Sequence, residues 1–306
     1  MTNGANKAPH QQIEGPQILD GRVAAEAQLK KIQSEVNALI ARKQRVPGLM
    51  VIQVGENPAS NAYIRQKQKS AETCGFFYVH KKLPRTASKS EILNEIAAAA
   101  NNSQIDGMIL QLPLDTSHAF APVEVDEIVE SIPPSKDADG LHSFNQGKLF
   151  TGDSLPDKWK YPIPATPLGV YRLLQHYSIS PKGKDVAVVG RSRLVGLPIS
   201  VIMIHEGATV TVCHSKTRDL KATLRNADIV IVAAGKKHLI GPEHLKGGAV
   251  VVDVGIHAKE DGKLTGDVSP DAYKKLAAYS PVPGGVGPMT VASLMENTLK
   301  LRQSAK

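Results

Sequence analysis

The chain has few of the devices that hold a protein together without a core. It contains two cysteines in 306 residues, Cys74 and Cys213, in unrelated contexts. Neither lies in a CxxC pair or in a Cys/His spacing that would hold zinc, so a disulfide framework and a metal site are not expected and a reducing compartment is. No apolar stretch reaches the length of a membrane span, so no membrane partner is expected. No run of five or more basic residues occurs, although Lys and Arg exceed Asp and Glu by 8 charges. Such dispersed positive charge suits anionic small molecules, and without an RNA- or DNA-binding motif it gives no reason to expect nucleic acid. The opening "MTNGANKAPHQQIEGPQ" is polar, without the apolar core of a secretory signal or the arginine-rich look of a transit peptide. It is expected to be a disordered tail on a cytoplasmic protein.

What is present is ordinary for a globular protein with a real core: 42% hydrophobic and 22% charged residues, over a length that suits about two domains. Strand-like and helix-like segments alternate. "LMVIQVG" (49–55), "FFYVHKKL" (76–83) and "IDGMILQLPL" (105–114) read as strands. Helical patterns over 58–76, 88–102 and 123–132 follow them in turn, which is the rhythm of a parallel sheet covered by helices. A proline-rich connector from Pro133 to about Pro167, holding Trp159, marks a domain boundary. The rhythm then restarts with a helix over 166–177 and the strands "DVAVVG", "ATVTVC", "ADIVIVAAG" and "GAVVVDVG". A last helix over 290–303 has no strand after it and is expected to pack back on the first domain.

"DVAVVGRSRLVGLP" (185–198) is a strand, a turn and a helix start, with Gly190 and Gly196 in the turn. A helix N-terminus offers free N–H groups and partial positive charge to a pyrophosphate. Gly190 is expected to turn the chain at the strand end, and Gly196 to let backbone approach phosphates. The pattern is not GxGxxG, because Ser192 takes the middle place. A plain strand-to-helix turn therefore stays open at this point. At the end of the next strand, NAD enzymes place an acidic residue on the ribose hydroxyls. Here stand His214, Ser215 and Lys216 instead, with Arg191 as a second cation, which favours a 2′-phosphate and hence NADP. "VVVDVG" (250–255) ends in Asp253 and Gly255. "SPVPGGVGPMT" (280–290) is dense in Pro and Gly, and is expected to let a ligand lie against bare backbone.

"NAYIRQK" (61–67) raises a separate possibility, since Tyr63 and Lys67 have the Tyr-x-x-x-Lys spacing of the short-chain dehydrogenases. That reading fails on order, because here the pair precedes the nucleotide turn by more than a hundred residues. Four residues apart on a helix still share a face, so both side chains can project into one cleft. Tyr can stack on a flat ring, and a desolvated Lys can act as a base.

Taken in order, "VGENPASNAYIRQK", "DGMILQLPL", "PPSKDADGLHSFNQGKL", "PATPLGV", "VVGRSRLVGLP", "TVCHSK" and "PVPGGVGPMTVASLMENT" resemble the methylenetetrahydrofolate dehydrogenase/cyclohydrolase family, from about Gln17 to the C-terminus. The resemblance implies a two-domain α/β protein. Residues 1–150, with the returning helix 288–306, would bind folate, and residues 151–287 would form a Rossmann-type doubly wound NADP-binding domain. It implies NADP-dependent oxidation of methylenetetrahydrofolate and hydrolysis of the methenyl product to formyltetrahydrofolate, with tetrahydrofolate derivatives as substrates and a homodimer as the assembly. By the family pattern Tyr63 stacks on the folate, Lys67 is the central catalytic group, Gln111 tunes it and Asp139 anchors the pterin, with Asp137 as the rival. Gly190, Arg191, Ser192, Val195, Gly196, His214, Ser215, Ile256 and Thr290 fall at cofactor-binding positions. Pro283, Gly284 and Gly285 lie beside the substrate. A neutral lysine suits a cationic methenyl intermediate, and a neutral Gln111 would not raise its pKa as a carboxylate would. The rivals are a monofunctional NAD-dependent dehydrogenase and a non-catalytic nucleotide-binding regulator.

Overall fold

The computed structural model describes residues 15–117 and 120–305. Most of the expected N-terminal tail, residues 1–14, lies outside them. Gln17, the last residue of that tail, does not: it opens β1 (Gln17–Ile18) and pairs in parallel with Ala278.

The first sheet has three parallel strands in the order β3-β2-β4: β2 (Gly48–Val54), β3 (Phe77–Leu83) and β4 (Gly107–Leu110). All seven residues of the central strand β2 are buried. A strand covered on both faces needs the continuous apolar run "LMVI" rather than alternation. Around the sheet lie α1 (Gly21–Ala41), α2 (Pro58–Cys74), α3 (Lys89–Asn101) and α4 (Pro122–Glu130). Helix α3 starts with a full capping box, in which the Ser88 hydroxyl accepts from the Glu91 amide and the Glu91 carboxylate accepts from the Ser88 amide. Within the proline-rich connector the chain forms one more short helix, α5 (Ser143–Phe150), where only irregular structure was expected.

The second sheet has six parallel strands in the order β1-β11-β8-β7-β5-β6. Its members are β5 (Asp185–Val189), β6 (Thr209–Cys213), β7 (Ile229–Val232), β8 (Val250–Asp253) and β11 (Ala278–Tyr279), with β1 at one edge. Helices α7 (Gly196–His205) and α8 (Leu220–Leu224) connect its strands, and β9 (His257–Ala258) with β10 (Leu264–Thr265) forms a small antiparallel pair outside it.

Three helices join the halves. α6 (Ala165–His176) and α9 (Val286–Ser304) run beside α1, and each supplies residues to both cores. In α9, Val286, Met289 and Ala292 pack under the second sheet, while Leu294, Met295 and Leu299 pack under the first. The expected return of the last helix onto the first domain is what the structure shows. The crossing is close: a Cβ on Gly169 of α6 would lie 2.9 Å from the backbone of Met289. A polar tie fixes it, in which buried Glu296 of α9 accepts from Arg172 of α6 at 2.8 Å and from Gln28 of α1 at 2.6 Å.

Candidate active site

The parallel strands β2 and β4 end at the same side of their sheet, and three segments converge there. Gln111 follows β4 directly, its amide N–H donating to the Ile52 carbonyl at 2.8 Å. Helix α2 starts just beyond β2 and carries Tyr63 and Lys67 on one face. The Lys67 side chain is buried, and its Nζ donates to Gln111 Oε1 at 2.9 Å. Gln111 Nε2 donates in turn to the Leu112 carbonyl at 2.7 Å, which fixes which end of the amide faces the lysine. Tyr63, one turn before Lys67, is half-buried, and burial pushes its hydroxyl pKa up.

Asp139 reaches the same region from the connector. Gly140, at φ +69°, makes its turn possible, since a Cβ there would sit 2.4 Å from the Ile163 carbonyl carbon. The structure separates Asp139 from its rival. Asp137 is 2% exposed, and its Oδ2 accepts from the His142 amide and from Asn145 Nδ2, both at 2.9 Å. That carboxylate is committed to the turn before α5, whose cap is the His142 ring, with Nδ1 accepting from the Phe144 amide at 3.0 Å. The Asp139 carboxylate makes no hydrogen bond among the described residues. Burial drives the Lys67 amine below its ordinary pKa and the Asp139 carboxyl above its own, and each charge partly offsets the other's shift. The site thus favours an uncharged amine beside an acid with free oxygens.

On the second sheet, the turn after β5 has the geometry of an anion cradle. Gly190 takes φ +125°, and a Cβ on it would lie 2.2 Å from the Ala233 carbonyl oxygen. A Cβ on Gly196 would lie 2.2 Å from the Gly190 carbonyl oxygen. Gly196 is therefore required by the turn's own backbone, where phosphate approach was the expected reason. Ser192, which breaks the GxGxxG pattern, caps the helix: its hydroxyl accepts from the Val195 amide at 3.2 Å and the Gly196 amide at 3.5 Å. The amides of residues 191–194 donate to no protein acceptor among the described residues, and the Arg191 side chain is exposed beside them. Free N–H groups at a helix start and a nearby guanidinium fit a phosphate ligand.

At the end of β6, Ser215 and Lys216 are exposed and His214 Nδ1 accepts from the Lys216 amide at 3.1 Å. The nearest carboxylate, Asp219, accepts from the Ala222 amide and caps α8. Among the described residues 214–218 there is no carboxylate, and the first one after β6 is spent on the α8 cap. Ile256 is 45% exposed after β8. Thr290 Oγ1 lies 3.2 Å from Thr166 Oγ1, linking the first turns of α9 and α6.

Asp253 and Gly255 turn out to be structural. Asp253 accepts from the amides of Gly255, Asp267 and Val268, and a Cβ on Gly255 would strike Asp267 at 2.3 Å. Asp267 accepts from the Ala234 and Gly235 amides and pairs with His257 at 2.7 Å, so two buried carboxylates shape the loops around Ile256. The Pro/Gly loop also has an internal reason for its glycines. A Cβ on Gly21 would lie 1.7 Å from the Gly285 carbonyl oxygen, and the Gly21 amide donates to Gly284 O at 2.8 Å. Backbone lies against backbone there, with Pro283 exposed at the tip.

One residue of the glycine turn was not singled out in the sequence. Arg193 reaches across to the first sheet's helices, its guanidinium 2.8 Å from Glu130 and 3.1 Å from Asp126 and donating to the Leu141 carbonyl at 3.2 Å. It ties the glycine turn of the second sheet to α4 and the connector.

A buried lysine on one parallel α/β unit and a nucleotide-type turn on another are the parts of a two-domain, dinucleotide-dependent oxidoreductase. Two family models match the chain: the tetrahydrofolate dehydrogenase/cyclohydrolase catalytic domain over residues 19–139 and the NAD(P)-binding domain of the same enzymes over 164–306. The chain belongs to the tetrahydrofolate dehydrogenase/cyclohydrolase family. It is 44% identical over 286 residues to the bifunctional protein FolD of Sulfurimonas denitrificans, covering 93% of this chain and 96% of that one. Among solved structures, the bifunctional FolD of Campylobacter jejuni superposes with a TM-score of 0.87 at 40% identity, over 94% of this chain and 98% of that one. The Trypanosoma brucei enzyme, solved with NADP and an inhibitor, superposes with a TM-score of 0.86 at 36% identity, again over 94% and 98%.

Proposed function

We propose that the chain oxidises 5,10-methylenetetrahydrofolate to the methenyl form with NADP and hydrolyses that product to 10-formyltetrahydrofolate, both in the cleft between residues 1–150 and 151–287. The observation that carries this reading is the buried Lys67–Gln111 hydrogen bond of 2.9 Å, with the free carboxylate of Asp139 opposite. NADP, when bound, supplies the hydride acceptor. Arg191, Ser192, Ser215 and the amides of residues 191–194 would hold its phosphates, with Val195, Gly196, His214, Ile256 and Thr290 around it.

The protein's own steps follow from the side chains. Tyr63 offers a half-buried ring for the pterin to stack on. Asp139 accepts two donors from the amidine-like edge of the pterin, a charge-assisted pair that fixes orientation. Lys67, whose pKa burial lowers, is the base that takes a proton from water as that water attacks the methenyl carbon. A protonated amine there would instead repel the cationic substrate. Gln111 gives the amine an acceptor without adding negative charge, and the loop around Pro283, Gly284 and Gly285 closes the far side.

An assay following NADPH production and methenyltetrahydrofolate decay in one cuvette tests the reading; oxidation without enzymic hydrolysis would leave the monofunctional alternative, and neither activity the regulator. The intact Lys67–Gln111 pair and the absence of a free acid after β6 favour the bifunctional, NADP-using form. Arg191→Ala should raise the KM for NADP about tenfold, the worth of one charge-assisted hydrogen bond, and leave the folate KM unchanged. Among the described residues no helix is long and apolar enough to cross a membrane. A homodimer through the second domain completes the reading. Leu197 and Ile204 on α7 are 49% and 56% exposed, and nearby Phe150 is 73% exposed, a bare apolar stripe beside the edge strand β6.

A further inference from the structure

Behind the first sheet, at the ends of β2 and β4 opposite Lys67, lies a second cavity of about 930 Å³. Ile105 and Leu301 line its apolar part, and Phe144, Trp159 and Tyr161 form an aromatic wall. Phe144 and Tyr161 meet edge to face at 5.5 Å, and the Lys160 Nζ stands 5.8 Å from the Tyr161 ring. Arg45, Lys136, Lys160 and Arg302 also face the cavity, against a single acid, Asp106. That acid is already neutralised: both its oxygens accept from the Arg45 guanidinium at 2.7 Å. Lys136 is held by the Asn102 carbonyl at 2.8 Å, and Lys160, exposed at the rim, makes no salt bridge among the described residues, with Asp153 as its more distant counter-charge. A cavity with flat walls and surplus positive charge suits a flat, negatively charged molecule.

The aromatic wall is wired to the active site. The indole N–H of Trp159 donates to Asn297 Oδ1 at 3.0 Å, and Asn297, fully buried on α9, donates through Nδ2 to the Ala138 carbonyl at 2.9 Å. The next residue is Asp139. On the other side, the Lys136 carbonyl accepts from the Met108 amide at 2.7 Å, so one short segment, 136–139, borders the cavity at its start and the pterin-facing carboxylate at its end.

We propose that this cavity is a second, regulatory ligand site for a small anion carrying a planar ring, and that its occupancy is felt at Asp139 through the Trp159–Asn297–Ala138 chain. The binding half of the proposal stands apart from the catalytic reading, because it has its own readout. Trp159 is the only tryptophan of the chain, so intrinsic tryptophan fluorescence reports on the cavity wall alone.

The experiment titrates the full chain, saturated with NADP to occupy the dinucleotide site, with 5′-AMP, adenosine and inorganic phosphate in separate arms. The expected result is a saturable fluorescence change with 5′-AMP, at least about tenfold weaker for either fragment alone, since ring and charge each contribute. Lys160→Glu and Arg302→Ala, both outside the catalytic cleft, should each weaken 5′-AMP binding about tenfold or more. Bound 5′-AMP should also shift the KM for the folate substrate at least about twofold in the parent and not in Lys160→Glu. No saturable change, equal binding of phosphate alone, or a change that survives both variants would overturn the site. An unaltered folate KM with the cavity filled would overturn the coupling to Asp139.

Discussion

At the scale of single residues, burial shifts the Lys67 amine and the Asp139 carboxyl toward their uncharged forms. Lys67→Met should cut cyclohydrolase turnover by about a thousandfold, the range of a lost general base. Its circular dichroism spectrum should match the parent's, and retained hydrolysis would remove Lys67 from the mechanism. The same residue sets a pH dependence of stability. Burial lowers its folded pKa below the unfolded value of about 10.4. Between those two values the unfolded chain holds the extra proton, so the stability contributed by this residue rises with pH through that window, and the full cost of burying the charge is present below it. The Tm of the parent relative to Lys67→Met should therefore increase as the pH rises toward the unfolded value of about 10.4; a difference that stays flat would mean that the amine is not depressed. Asp139→Ala should raise the folate KM by about 10–100-fold, the worth of one or two charge-assisted hydrogen bonds, with the NADP KM unmoved. Asp137→Ala would act differently, by releasing Asn145 and the His142 amide and loosening α5.

At the scale of elements, the positions legible in the sequence were those where local pattern and tertiary role agree. β2 and β7 read as strands because each carries a four-residue apolar run, LMVI and IVIV, buried on both faces, and α3 reads as a helix because Ser88 and Glu91 announce its start. Helix α1 went unread although Asp20 caps it and Ala24, Ala25, Ile32 and Val36 are its buried face, a signal that a helical count would have found. β1 and β11 carried no comparable signal. Each has two residues, and what makes them strands is pairing between Gln17 and Ala278, which no local pattern encodes. α5 hid behind Gly147 and its short length, and is capped by His142, a residue type that does not announce a helix start, with Asp137 holding the His142 amide. Arg193 looked like its neighbour Arg191, because its partners Asp126 and Glu130 lie more than sixty residues earlier. The glycines of 281–285 were legible as unusual, but their cause sits on α1. Gly21→Ala places a methyl group 1.7 Å from the Gly285 oxygen, a clash of backbone that no rotamer relieves. It should cost about 3 kcal/mol or more in urea unfolding and raise the folate KM as the loop shifts; an unchanged midpoint would show that the loop yields freely.

At the scale of the molecule, α1, α6 and α9 belong to neither half alone, and this decides how rigid the cleft can be. Each helix buries one stretch under each sheet, and Glu296 ties all three together through Arg172 and Gln28. Arg193 adds a second tether across the mouth of the cleft. Swinging one half against the other would disturb the packing of these helices in both cores at once, a cost that opposes large movement of Lys67 relative to the nucleotide turn. Among the described residues an exposed apolar stripe lies on α7, where Leu197, Val201 and Ile204 stand at helical spacing. A stripe facing water at that spacing is the pattern of a face covered by another copy, and a two-fold pairing would place the same residue near its counterpart on both subunits. Ile204→Glu would bring two carboxylates into that contact, weakening association by about 100-fold or more while leaving both cores and the cleft intact. Sedimentation velocity should show a dimer for the parent and a monomer for the variant, with the dehydrogenase rate per chain retained. A parent that sediments as a monomer at concentrations of about 10 µM would leave the α7 stripe bare and the dimer without support.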